Sequence, residues 1–440
     1  MSAARRAWRS WSCRLAAILA VATFFFFTLA RRKAPIILTF PVASLVRMAA
    51  APAGDMCAWW GDSPPEVQAA AQIDSGANAA EMLPPLRYVM DPYPTFNGIV
   101  LDPRGNRVFL SDENRKSVLS YELSAGGNSP DATPPLWQII GPQTEVGFIA
   151  GVEVDPERRE IYAVNNDIED RVAVFDYDAH GDLKPKRHLY VPHQAWGLSL
   201  NASRGEMVVS VQQLGALAIY RRDANGMDAP VRIIKGPHTN LADPHGVRWD
   251  AAHHEIAVAS HGNSAVIPPY TDYDAPTPTA SAEAVGGKFL PPSLDLFDDS
   301  ATGDATPVRT IQGPDTRLNW PMGIDIDAEH DEIAVANNGD NSILVFRRTA
   351  QGNVAPVRVI RGAKTGISSP MGVAIDSQHN ELWVANYGDH TALVFAREAS
   401  GDAAPKRIIR NAPAGTPTGG FGNPYAIAYD SKRDQLLVPN

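Results

Sequence analysis

Cysteine is nearly missing from this chain of 440 residues: two are present, Cys13 and Cys57, and Cys13 falls in a leader-like opening stretch. One thiol in the main body excludes an internal disulfide, a zinc cluster of cysteines and a haem attachment pair. Positive charge is also short. The formal net charge is −10, and the first 33 residues hold seven positive charges and no negative ones, so without them it falls to −17. A body of that sign repels phosphate backbones, which sets nucleic acid aside as a partner. No Gly-x-Ser-x-Gly nucleophile elbow, phosphate-cradling glycine loop or zinc signature occurs, so those chemistries are set aside too.

Long apolar runs are scarce. The one that stands out is "LAAILAVATFFFFTLA", Leu15 to Ala30, with basic residues on both sides. As a helix it would span about 24 Å, short of a ~30 Å hydrocarbon core and close to the hydrophobic part of an export signal. Residues 1–33 are therefore read as an export signal or a membrane anchor, with residues 15–30 as the candidate tether. The remainder is then periplasmic or extracellular. Residues 34–83 read as a linker.

What the chain has in plenty is repetition. Pro (36) and Gly (34) are abundant, as many short elements joined by turns require. "IAVANNGDNSILVF" (Ile333 to Phe346) returns as "LWVANYGDHTALVF" (Leu382 to Phe395), agreeing at eight of fourteen positions. A second phrase recurs as "GIVLD" at Gly98, "GVEVD" at Gly151, "GLSLN" at Gly197, "GVRWD" at Gly246, "GIDID" at Gly323, "GVAID" at Gly372 and "AIAYD" at Ala426. Its spacing is near 49 residues except after Gly246, where about 28 residues are inserted, roughly Ser264 to Pro292. Period-two alternation in each unit reads as four strands, a to d: the "GIDID", "EIAVAN", "ILVF" and "APVRVI" types. Units of this length and content predict a β-propeller.

Counting gives seven a strands and seven b strands, the last being "QLLVPN" (Gln435 to Asn440). Strand d also occurs seven times if "PPLRYVM" (Pro84 to Met90) is included, whereas strand c occurs six times. The expectation is an all-β, seven-bladed β-propeller over residues 84–440. Its seventh blade would be closed by the N-terminal strand and would lack one strand. Truncation, a thin blade or a strand donated by another chain would each account for the gap.

The recurring "P-x-G-[IV]-x-[IL]-D … E-[IL]-x-V-A-N … S-[IV]-L-V-F … P-x-R-x-I" resembles the NHL and YncE-like bacterial propellers. That group includes scaffolds, ligand binders, lactonases and lyases, so the resemblance implies a fold and leaves the function open. Its calcium-dependent lactonase branch would need acidic and amide ligands at the tunnel mouth. Its lyase branches would need placed histidines and a metal.

Repetition separates scaffold from site. Asp102, Asp155, Asp250, Asp327, Asp376 and Asp430, with Asn201, close strand a in every unit and are read as turn-forming residues. The d–a and b–c loops must share one rim, where Asn165, Asn166, Asn337, Asn338 and Asn386 form much of an amide ring. Residues that break the pattern there are the candidates for ligand or partner binding: Trp196, His245 and His261, with Asn166, Asn338 and Asn386 from the ring and Tyr270 and Tyr273 from the insertion. Two imidazoles in one unit, His245 and His261, could bind a metal or move a proton. In mid-strand a, Glu153, Arg248 and Asp325 form a charge network near the axis, and an ion pair is expected between Arg248 and Asp325. The favoured reading is an exported propeller that binds a protein or a small polar ligand. The alternative is a lactonase- or lyase-type enzyme with a metal at the tunnel mouth. No cofactor is predicted; a divalent cation is the one candidate.

Overall fold

The computed structural model describes residues 92–166, 169–265, 287–416, 428–430, 432 and 435–437. Period-two alternation becomes strand throughout. Six four-stranded antiparallel sheets follow one another along the chain, spanning residues 96–140, 149–190, 195–234, 244–312, 321–360 and 370–410, each in the order a-b-c-d. The a strands are Phe96–Asp102, Ile149–Asp155, Ala195–Asn201, Pro244–Asp250, Pro321–Asp327 and Pro370–Asp376.

Each strand a ends in a carboxylate or amide that fastens the following turn. The amides of Arg158, Arg204, His330 and His379 donate to Asp155, Asn201, Asp327 and Asp376 at 3.0–3.1 Å. These are scaffold bonds, repeated blade by blade.

A single sheet leaves two apolar faces bare, and the blades cover each other. Six separate apolar clusters fill the interfaces between successive blades. Charged residues tie the outer edges. Glu160, Glu255, Glu332 and Glu381, at the start of strand b, pair with Arg187, Arg309, Arg358 and Arg407 of strand d in the same blade. Arg348 and Arg397 then reach back from the next blade to Glu255 and Glu332 at 3.0 Å. Burial raises the Glu160 carboxyl, but the Arg187, Tyr162 and Lys186 contacts outweigh it and hold the pKa at about 2.

The sequence reading of seven blades is corrected to six. Strand a of blade six packs on strand a of blade one, and the cluster between them holds Phe96, Tyr121, Trp383, Val394 and Ile409. Hydrogen bonds close the same seam: Gly127 N to Ile408 O at 3.0 Å, Thr133 N to Arg410 O and Ala414 N to Pro130 O at 2.7 Å. Within the ring no place remains for another inner strand.

The physical reason lies in the glycine that opens each repeat. Gly98, Gly151, Gly197, Gly246, Gly323 and Gly372 form a collar in which each abuts the next blade's backbone. A β-carbon on Gly323 would lie 2.8 Å from Met371 O and 2.9 Å from Gly372 Cα; one on Gly372 would lie 2.9 Å from Asn97 O, back in blade one. The seventh phrase starts with Ala426 instead, and carries the methyl group that such a collar excludes. Its strands, Ala428–Asp430 and Gln435–Leu437, form a two-stranded sheet of their own. The partner assigned to them at residues 84–90, the leader at 1–33 and the linker at 34–83 lie outside the described residues. Among the described residues no helix is long and apolar enough to cross a membrane.

Candidate functional site

Backbone bonds between b–c and d–a loops place both sets on one rim. His261 N donates to Asp243 O at 3.1 Å, Asn338 N to Trp320 O at 3.1 Å and Asn166 N to Phe148 O at 2.7 Å. The residue after strand b is Glu113, Asn166, Gln212, His261, Asn338 and Tyr387 in blades one to six; the residue before the collar glycine is Asn97, Ala150, Trp196, His245, Met322 and Met371. These two sets build the mouth of the central channel.

The amides divide by role. Asn165, Asn337 and Asn386 are buried, and each clasps the loops around it: Asn386 accepts from Ser368 N at 2.7 Å and donates to Gly366 O and Thr391 Oγ1. Asn386, a binding candidate from sequence, has its amide committed to loop backbone. Asn166 and Asn338 instead reach the neighbouring blade, donating to Ala195 O at 3.0 Å and Pro370 O at 3.3 Å.

His245 and His261 meet. Their rings stack with centroids 3.7 Å apart and planes 18° apart. Trp196 leans on His245 at 4.5 Å and Trp320 stacks on His261 at 5.2 Å, so a row of four rings crosses blades three, four and five. Trp320, unnoticed in the sequence, is 57% exposed at the end of the row and has a left-handed backbone, φ 52°. The other imidazole neighbours are Asp243 and Met322. His261 Nδ1 lies 3.3 Å from Asp243 Oδ2, and His261 Nε2 lies 3.1 Å from Met322 Sδ. His245 Nδ1 lies 3.0 Å from Asp243 O. Burial, then the neighbouring His261 imidazole, pushes the His245 imidazole down to about 3, so it is neutral at ordinary pH. Ligand atoms of Asp243, His245 and His261 lie within 4.8 Å of one another.

Asp243 was also missed, although "DPH" places it two residues before His245. The signal was a carboxylate just ahead of the repeat-breaking histidine. Another acid on this rim, Glu113, is pushed up to about 8 by burial and by Asp112, against hydrogen bonds from Asn97 and Tyr387.

Below the mouth, a cavity of about 70 Å³ runs past the collar from Trp196 and Met371 to Glu153, Arg248 and Asp325. Arg248 Nε meets Asp325 Oδ1 at 2.7 Å, the neighbour-blade pair expected, and Arg248 also meets Glu153 Oε2 at 2.8 Å, in blade two. Asp325 accepts further bonds from Ile326 N and Ile375 N, and Glu153 from Val154 N. One half-buried cation lining the cavity serves two buried acids whose other contacts are to backbone amides, which is the arrangement of a brace.

The insertion in blade four enters and leaves through a hairpin stem, Asn263–Ala265 paired with Gly287–Phe289. Lys288 pins it, donating to Gly236 O and Leu241 O at 3.0 Å. Tyr270 and Tyr273 lie outside the described residues.

The sheets and their closure define a class: a six-bladed β-propeller with a His/His/Asp cluster on one rim. No family model matches the chain. No curated protein matches it either. Among solved structures, Kuenenia stuttgartiensis hydrazine synthase is similar at 13% identity with a TM-score of 0.48, covering 81% of this chain and 98% of that one.

Proposed function

We propose that this is an exported, NHL/YncE-like binding module that takes a protein partner or a small polar ligand on the rim of blades three to five. The observation that carries the reading is the row Trp196–His245–His261–Trp320. Nothing in the repeat requires it, it crosses three blades, and it ends in an exposed indole stacked on His261, two residues before the stem of the insertion. Aromatic anchors of this kind account for much of the energy of binding surfaces. Export rests on the leader, whose apolar run has the length of a signal and whose removal leaves an acidic, disulfide-free body.

The test is capture from the native cell's membrane and soluble fractions by immobilised protein, with affinity measured for whatever binds. Trp320→Ala is expected to weaken binding by about 30-fold, the effect of losing one anchor of ~2 kcal/mol. Equal affinity for wild type and Trp320→Ala would remove the rim from the account. The lactonase or lyase alternative requires turnover, and His245→Ala would then abolish it.

A further inference from the structure

Asp243 offers a carboxylate to two stacked imidazoles on the rim. Its Oδ1 is buried without a hydrogen-bond partner, 3.7 Å from His245 Nδ1. Its Oδ2 faces His261 Nδ1 at 3.3 Å. A thioether sulfur accepts hydrogen bonds and has none to give, so the contact of His261 Nε2 with Met322 Sδ puts the ring proton on Nε2. The other ring nitrogen, Nδ1, faces the Asp243 carboxylate. A positive species between Nδ1 and Oδ2, either a second ring proton or a metal ion, satisfies both groups. The stacked His245 ring shares that face, 3.7 Å away.

We propose that Asp243, His245 and His261 bind one divalent transition-metal ion of the zinc type. Two imidazoles and one carboxylate are a borderline donor set that favours such ions over calcium or magnesium, which prefer oxygen. Tetrahedral donors about 2.0–2.2 Å from one ion stand about 3.3–3.6 Å apart, so the present spacing of up to 4.8 Å needs a contraction of about 1.2–1.5 Å. The frame for it is in place. His261 N to Asp243 O and Gly262 N to Ala242 O tie the two ligand-bearing loops together, and Ser210 Oγ donates to His245 O. Met322 acts from outside, fixing the tautomer of His261 as an outer partner does in many metal sites. Three protein ligands leave a four-coordinate ion one position for water or a ligand, and the Trp196–Trp320 row borders it. This goes beyond the binding-module reading and stands or fails separately from it, because the probe is the metal alone.

Full-length protein stripped with chelator is titrated calorimetrically with Zn²⁺ in the presence of excess Ca²⁺. One saturable site per chain is expected, weakened at least 10-fold in both Asp243→Asn and His261→Gln. It should be unchanged in His330→Gln, which removes an imidazole paired with Asp327 in a turn. The EPR spectrum of Cu²⁺-loaded wild type, which needs no variant, is expected to show coupling to two imidazole nitrogens. No saturable Zn²⁺ site, a site that survives both ligand substitutions, or a copper spectrum without two nitrogens would overturn the proposal.

Discussion

Gly246→Ala is expected to cost the fold about 3 kcal/mol or more, read as a lower denaturant midpoint with an unchanged slope. The added β-carbon would fall 2.8 Å from Gly323 Cα and 2.9 Å from Ile324 N, with Met322 O nearer still. All three are backbone atoms of the next blade, so no rotamer change relieves the clash, and the two inner strands must part. Parting them opens the cluster beneath, where Ala257, Ala259, Ile324 and Val335 pack. Gly127→Ala is the control: a β-carbon there meets nothing within 4 Å, and a change within about 0.5 kcal/mol is expected. Equal stability of the two variants would mean that the collar does not constrain the ring.

Removal of the channel cation should be comparably damaging. Arg248→Ala strands Glu153 and Asp325, each 7% exposed in its side chain, and breaking a buried pair by deleting one partner costs about 3–5 kcal/mol. Burial already pushes the Glu153 carboxyl above its usual range, with Arg248 opposing. Without Arg248 the folded state would hold protons that the unfolded state releases above its ordinary carboxylate range near 4. Stability of the variant therefore falls as pH rises from about 4 toward neutrality, so denaturation at pH 7.5 and pH 5 should show the deficit shrinking at the lower value. Adding Glu153→Gln and Asp325→Asn should restore most of the loss at pH 7.5. A loss that is independent of pH and unrelieved by these changes would show that Arg248 acts through packing instead of charge.

The propeller, its four-strand unit, the turn carboxylates and the common rim were legible because each repeats, and repetition makes periodicity louder than any single strand. The number of blades was not, since a strand pattern shows that a segment can pair and says nothing about whether the ring has room for it. Ala426 in place of glycine was the available clue, and it reads as a conservative change until the close approach of inner strands gives it meaning. The same limit applied to the site. His245 and His261 stood out against their counterparts, whereas Asp243 and Trp320 lie in d–a loops that differ in every blade and so break no pattern. Arg248 was matched to its neighbour Asp325, but Glu153 lies one blade further round, and only the curvature of the ring brings it within 2.8 Å. The glutamate and arginine of the repeat were visible without the rule that pairs them, because strand b and strand d are separated by strand c.

The closure of blade six on blade one is tested most directly by a chain that ends after Thr416, which keeps all six sheets and the Ala414 N–Pro130 O bond while removing the last two strands. Six-blade closure predicts a single cooperative unfolding transition at the full-length midpoint, with Trp383 still shielded from quencher. A large loss of stability, or Trp383 exposed at a torn seam, would contradict it and return the last strands to the ring.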